Sequence, residues 1–311
     1  MSTAKRKANP LISAAAQEAL EQYEAYVRQY EDVNPTSLRN YLCDLRHFAA
    51  WYEESTTSRS EAEVRKTFQP TIITTPTLTR YRAYLQMRIK PSSVNRALIS
   101  LKRYFSWVVQ RGLLEEDPSK PVKMVVLVEQ APRHLSVEEE EALVAAVNQE
   151  GSLRDRTLVI LLLHTGLRAS EVCLLKREQV EIAGRRGTLT IVGKGNKYRE
   201  VPLNATARKV LSNYLTHLGA EAVYVFPSEK TGKSLTERAL GHLIKKYADK
   251  AKLKEVSPHD LRHRFGYRMA EQVPLHRLAQ IMGHSSLDTT RIYIQGTKSD
   301  LQREVEKIAW V

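Results

Sequence analysis

Pro118, Pro121 and Pro132 flank a short apolar run from Met124 to Val128, and no single helix or strand can cross a stretch punctuated in this way. Residues 115–135 therefore read as an extended connector pressed against a surface, and the chain divides there. Before it, apolar residues recur at helical spacing. Leu38, Tyr41, Leu42, Leu45, Phe48, Ala49 and Tyr52 share one helix face after Asn34-Pro35. Val94, Ala97, Leu98, Leu101, Phe105 and Val108 share another after Pro91. A weaker helix covers residues 14–30 and a short one follows Pro76. The Ser/Thr-rich stretches 55–60 and 71–79 read as loops.

After the connector, Ser136-Val137-Glu138-Glu139 is a capping box that opens a helix. Residues 188–192 alternate as a strand between the turn signal Gly184-Arg185-Arg186-Gly187 and the glycine-flanked Gly193-Lys194-Gly195-Asn196. Val201 can pair back, which gives a small antiparallel sheet of about three strands with Lys194 at one tip. The rest is helical, over about 205–218, 235–251, 258–272, 275–282, 286–295 and 299–308. The expected fold is mainly α with a small antiparallel β-sheet. Its parts are an all-α N-terminal domain over 1–114, a linker over 115–135 and an α+β domain over 136–311.

A chain of 311 residues has room for about two domains, and a formal net charge of +13 favours a polyanionic partner. Cys43 and Cys173, its two cysteines, lie far apart, which argues against a disulfide framework and for a reducing compartment. The apolar run 158–163 falls far short of the roughly 20 residues of a membrane span, and no signal peptide is apparent. The expectation is a soluble, cytoplasmic protein without membrane attachment, its Lys5-Arg6-Lys7 start a mobile basic end.

The polar faces of the two strong helices carry Arg39 and Arg46 on one, and Ser92, Arg96 and Arg103 on the other. Such faces suit a DNA groove, with arginines on phosphates or guanine edges; the alternative is an ordinary exposed helix face.

Chemistry concentrates towards the C-terminus. Arg168 and Glu171 fall at i and i+3 after Gly166, so a carboxylate can hold a guanidinium whose donors reach a phosphate. Ser257 caps a helix starting at Pro258, which puts backbone N–H groups and a positive dipole end beside His259, with Arg262 one turn on. The competing reading is zinc, because His259 and His263 are four apart in a His-x-x-x-His pattern. Against it, aspartate stands where a glutamate base is expected, and a cationic arginine lies between the would-be ligands. Lys194 between two glycines is either a solubilising hairpin tip or a cation projected into a narrow groove. Tyr293 follows Gly283-His284 on a stretch where Ser285 can cap a helix, with Asp288 at its third position.

In this order and context, the residues resemble the tyrosine recombinase (phage integrase) family. His164-Thr165-Gly166-Leu167-Arg168-Ala169-Ser170-Glu171 is similar to the family's Thr-Gly-Leu-Arg-x-x-Glu box, and Gly193-Lys194-Gly195 to its β-hairpin lysine. His259 and Arg262 match its His-x-x-Arg box. Gly283-His284 matches the Leu-Gly-His box with Met282 for the usual leucine, and Tyr293 stands at the nucleophile position. The similarity is strong over about 136–296 and weaker over about 13–111, where it implies a helical core-binding domain.

The resemblance implies a catalytic set of Arg168, Lys194, His259, Arg262, His284 and Tyr293, supported by Glu171, that needs no cofactor and no metal. Tyr293 would attack the scissile phosphate to give a 3′-phosphotyrosyl link and a free 5′-hydroxyl. Arg168 and Arg262 would bracket the non-bridging oxygens, His284 would add a hydrogen bond to the same phosphate, His259 would assist proton transfer or hydrogen bonding and Lys194 would protonate the leaving oxygen. The expected partner is double-stranded DNA with specific recombination sites, bound by a homo-tetramer that works through a Holliday junction, with a related recombinase as a conceivable hetero-partner. The protein would then be nucleoid-associated. Topoisomerase-like relaxation and a silent DNA-binding regulator are the other readings. The intact set argues against the regulator. The apolar stripe Leu301, Val305 and Ile308, ending in Trp310, argues for docking on a neighbour and against the monomeric relaxer. Ile294-Gln295 after the tyrosine departs from the Thr-His common in chromosome-dimer resolvases and favours a mobile-element recombinase. No additional arm-binding domain of the kind large phage integrases carry is expected.

Overall fold

Pro35, Pro76 and Pro91 each stand in the first turn of a helix, where the missing N–H has no intrahelical partner to lose. The computed structural model describes residues 9–55, 67–127, 133, 135–193, 198–284, 286–293 and 305–306. The chain forms two units, Met1–Glu129 and Gln130–Val311.

The first unit consists of α1 (Ala14–Tyr30), α2 (Pro35–Ser55), α3 (Thr75–Gln86) and α4 (Pro91–Gln110), with a 3₁₀ turn at Pro70–Ile72. Helix α2 packs on α1 and α4, and α3 on α4. Their apolar faces close over an aromatic core in which Tyr23, Phe48, Tyr81, Tyr104 and Phe105 are fully buried. Phe48 meets Tyr81 edge-on at 5.0 Å and Tyr23 meets Tyr104 at 5.3 Å, geometries that the ring quadrupoles favour. One expectation fails here. The 71–79 stretch is not all loop, because α3 starts at Thr75: Pro76 suits the first turn, Thr79 Oγ1 donates to the Thr75 carbonyl at 2.9 Å, and Thr77 is buried. The extended stretch up to Leu127 is fastened to this unit. The Asn95 amide exchanges hydrogen bonds with the Val125 backbone at 2.8 and 2.9 Å, Lys102 Nζ donates to the Ser119 carbonyl at 2.6 Å, and Val122 enters the core.

The second unit begins with α5 (Val137–Glu150), whose Ser136–Glu139 capping box is formed in both directions. Helix α6 (Leu153–Thr165) then runs through the middle of the core, with every residue from Leu158 to Leu163 buried. The sequence reading assigned no helix there. A segment buried on all sides has no polar face and therefore no periodic stripe. Gly166 ends α6 at φ 62°, and the short α7 (Ala169–Cys173) follows.

Strands β1 (Val180–Ala183), β2 (Arg186–Val192) and β3 (Tyr198–Pro202) form an antiparallel sheet in that order, with Val180 opposite Leu189 and Leu189 opposite Val201. Helices α8 (Ala205–His217), α9 (Glu237–Lys250), α10 (Pro258–Ala270), α11 (Leu275–Met282) and α12 (Asp288–Arg291) complete the unit. Helix α6 packs on α5, α8 and α10, and α11 packs on β3 and α10. The expected helix over 286–295 is shorter among the described residues: Tyr293 lies just past α12, its N–H bonded to the Thr290 carbonyl at 3.1 Å. Of the expected terminal helix, Val305 and Glu306 are helical; Leu301, Ile308 and Trp310 lie outside the described residues. No helix among the described residues is long and apolar enough to cross a membrane.

Candidate active site

Helix α10 presents His259, Arg262, His263, Gly266 and Tyr267 at helical spacing, so one stripe of one helix supplies a wall of the site. The helix starts at Pro258, and Asp260 turns its carboxylate back to accept from the Ser257 N–H at 2.8 Å and hydroxyl at 2.6 Å.

Arg262 is 3% exposed and is fixed from two sides. One terminal nitrogen donates to the Gly166 carbonyl; the other donates to the Met282 carbonyl at 2.9 Å and to His284 Nε2 at 2.9 Å. Because a guanidinium only donates, His284 Nε2 accepts, and its Nδ1–H is left to donate to Thr290 Oγ1 at 2.8 Å. Burial, together with the charges of Arg262 and Arg168, brings the imidazole down to about 4, so it is neutral at pH 7. Both nitrogens of His284 are engaged, and in this arrangement it orients Arg262. Burial and the nearby Arg168 charge also lower Arg262 itself to about 10, which leaves it cationic at neutral pH.

Arg168 stands at the N-terminal boundary of α7 and remains 41% exposed at its side chain. Its Nη1 donates to Glu171 Oε1 and its Nη2 to the Gly283 carbonyl, both at 2.8 Å. The expected Arg168–Glu171 pair is therefore present. It has a further member that sequence reading missed: Arg199 on β3 donates from both terminal nitrogens to the two Glu171 oxygens at 2.8 Å each. Burial alone would raise the Glu171 carboxyl, but the Arg199 hydrogen bonds, the Arg168 backbone N–H, the Arg199 charge and the Arg168 side-chain hydrogen bond hold it at about 2. No local motif marks Arg199, because its partner is distant in the chain.

Tyr293 is 5% exposed. Its ring lies on Gly266, where an added Cβ would meet it at 2.6 Å, is edge-on to Tyr267 at 5.2 Å and is parallel to His284 at 6.3 Å. Its Oη is bonded to His263 Nδ1 at 3.0 Å. Burial pushes the phenol up to about 12 despite the opposing charges of Arg262 and Arg168, so it is protonated at neutral pH. His263, which the zinc reading paired with His259, thus has its Nδ1 turned to Tyr293. The exposed His259 ring rests edge-on against His263 at 4.3 Å. Among the described residues no group of three or more His, Cys, Asp or Glu side chains could hold a metal ion. The structure therefore brings Arg168, Glu171, His259, Arg262, His284 and Tyr293 into one neighbourhood. Lys194 lies outside the described residues, in the connection between β2 and β3, and so does Ser285.

In the first unit, Arg39 and Ser92 are exposed, as a groove-facing surface requires. The other three candidates have partners of their own. Arg96 Nη2 donates to the fully buried Asp44 at 3.0 Å, Arg103 pairs with Glu31 and lies over the Tyr41 ring at 5.1 Å, and Arg46 donates to Gln17 Oε1. Each arginine is thereby held in a preset direction.

Residues 133–300 match the family model described as the phage integrase family. The chain is 31% identical over 300 residues to tyrosine recombinase XerC of Myxococcus xanthus, across 91% of this chain and 95% of that protein. It is 36% identical over 228 residues to tyrosine recombinase XerD of Pseudomonas aeruginosa, across 70% of this chain and 76% of that one. Among solved structures, XerH bound to its difH substrate in a pre-cleavage complex superposes with a TM-score of 0.71 at 22% identity, covering 94% of this chain and 84% of that one. A Tn1549 transposon integrase in complex with circular intermediate DNA gives the same TM-score at 17% identity, covering 94% and 99%. With the family model matched over more than half its length and 31% identity across 91% of it, this chain belongs to the phage integrase family of tyrosine recombinases.

Proposed function

We propose that this protein is a site-specific DNA recombinase that breaks and rejoins strands through a covalent phosphotyrosyl intermediate. The observation that carries the reading is the convergence of Arg168, Arg262 and Tyr293 around Gly283 and His284, two cations fixed by backbone carbonyls beside a buried phenol. An arginine so held is pre-organised for the charge of a pentacoordinate phosphorus and needs little rearrangement when that charge develops.

In the forward step Tyr293 Oη bonds to phosphorus, the bond to the 5′-oxygen breaks, and the 3′-phosphotyrosyl ester retains the bond energy. Arg168 and Arg262 bind the non-bridging oxygens. His284 keeps Arg262 in place, His259 at the exposed edge takes up the proton that the Tyr293 phenol loses, and Lys194 protonates the departing 5′-oxygen. Proton donation of this kind contributes about 10² to 10⁴ in rate. The fixed cations take the part that a metal ion plays in other phosphoryl-transfer sites. Resealing by the 5′-hydroxyl of a partner duplex reverses the step and completes strand exchange through a Holliday junction.

The substrate is double-stranded DNA carrying specific sites, which the net charge of +13 favours and which the named relatives XerH and the Tn1549 integrase also bind. The two units serve as a core-binding and a catalytic domain, and Arg39, Arg46, Ser92, Arg96 and Arg103 face the DNA. Four copies assemble on two sites, alone or with a related recombinase, the 299–311 segment docking on a neighbour. The element served is a mobile one. The test is a nicked suicide substrate resolved on a denaturing gel in EDTA. Wild type should give a covalent band, and Tyr293→Phe should bind the site equally well and give none. A covalent band from the variant would remove Tyr293 from the role.

A further inference from the structure

Arg199 is the residue of this site that neither the motifs nor any exposed feature announces. It lies on β3 opposite Ile191, its side chain is 14% exposed, and all three of its guanidinium nitrogens are bonded. Nη1 and Nη2 take the two oxygens of Glu171 at 2.8 Å each, and Nε donates to the Ile281 carbonyl at 3.1 Å. The Glu171 carboxylate also accepts from Arg168, through the backbone N–H on Oε2 and through Nη1 on Oε1, both at 2.8 Å. Four donors therefore fill a carboxylate that has about four lone-pair directions, and its orientation is fully determined.

Gly283 completes the arrangement. At φ +65° it lies so close to Arg199 that a Cβ would sit 2.6 to 2.8 Å from the guanidinium, and its carbonyl receives Arg168 Nη2 at 2.8 Å. Both arginines thus converge on the residue before His284.

We propose that Arg199 is a positioning residue: it aims Arg168 at the phosphate through the shared Glu171 carboxylate and ties that aim to the strand leaving the Lys194 hairpin. The role rests on the recombinase reading above. Without Arg199, Glu171 loses half of its donors and can swing to take both terminal nitrogens of Arg168, which turns that fork away from Gly283 and from substrate. An error of about 1 Å in a group that contacts the reacting centre costs about 10² in rate. Ground-state affinity changes much less, because the Arg199 side chain is largely buried and its donors point into the protein.

The test is a double-mutant cycle of Arg199→Gln and Arg168→Ala. It is read by single-turnover cleavage of a nicked suicide substrate and by half-site affinity on native gels. Arg199→Gln should slow cleavage about 10- to 100-fold with half-site affinity within about 3-fold. In the Arg168→Ala background it should cost less than about 3-fold more, since the group it positions is gone. Arg199→Lys, which keeps the charge and one donor, should recover part of the rate and decides the matter if the glutamine variant does not fold. Additive losses in the cycle, or a loss of affinity equal to the loss of rate, would mean that Arg199 contacts DNA itself and would overturn the proposal. A covalent band from Tyr293→Phe would bring down the recombinase reading instead, so the two failures are distinguishable.

Discussion

Gly266→Ala adds one methyl group under the ring of Tyr293. Gly266 lies within α10, where alanine is the better helix former by about 1 kcal/mol. The new Cβ would stand 2.6 Å from two ring carbons of Tyr293 and 2.9 Å from a third, whereas carbon atoms pack at about 3.5 to 4.0 Å. The ring must therefore retreat by about 1 Å, and the hydrogen bond to His263 Nδ1 lengthens or breaks at a cost of about 1 kcal/mol. The helix gain and the lost bond nearly cancel, so the melting temperature should stay within a few degrees of wild type, given that 1 kcal/mol moves it by about 2–4 °C in a unit the size of Gln130–Val311. Chemistry does not share that compensation: a nucleophile displaced by about 1 Å should cleave about 10²-fold more slowly. Single-turnover cleavage of a suicide substrate, with half-site binding and thermal melting measured alongside, reads all three quantities. Wild-type or faster cleavage by a folded Gly266→Ala protein would refute the reasoning, because it would mean that the slot on α10 is not the place from which Tyr293 acts.

Lys194→Ala should be slow on ordinary DNA and largely rescued when sulfur replaces the bridging 5′-oxygen, since a thiolate leaves without a proton; equal defects on both substrates would reduce Lys194 to a binding residue. Glu171 carries a pH signature. A carboxyl lowered from about 4.3 in the unfolded chain to about 2 in the native state contributes about 3 kcal/mol that is present above the unfolded value and lost as pH falls towards 2. Denaturant titrations across that window should show wild type losing stability more steeply than Glu171→Gln, and parallel curves would contradict the assignment.

Where one local rule was enough, the sequence was legible. The Ser136–Glu139 box, the prolines opening α2, α3 and α4, and the pairing of Val201 back onto the 188–192 strand can each be read within a few residues, and each is formed. The boxes around Arg168, Arg262, Gly283-His284 and Tyr293 named residues that meet in one place. Partnerships across the chain were hidden. Arg199 looks like any strand arginine until Glu171 is beside it, and His263 resembled half of a metal site because spacing cannot show that its Nδ1 faces a tyrosine. Helix α6 was invisible for a different reason, since uniform burial erases the periodicity by which helices are recognised. Arg96 and Arg103 of α4 showed their charge in sequence but not their acidic neighbours Asp44 and Glu31.

The Arg262 bonds to the Gly166 and Met282 carbonyls have a consequence for mutagenesis. These carbonyls lie at the C-terminal ends of α6 and α11, where backbone oxygens lack helical partners and each helix presents about half a negative charge. A single cation thus staples two negative helix poles together inside the protein. Removing it would orphan buried acceptors at a cost of about 1–3 kcal/mol each and set the two poles against one another. Arg168 makes one such bond, to the Gly283 carbonyl at the end of α11, and with 41% of its side chain open it carries the lighter structural duty. Inactivity after substitution of Arg168 reports on chemistry, whereas inactivity after substitution of Arg262 mixes chemistry with the loss of a joint between helices. The two arginines are unequal as experimental probes.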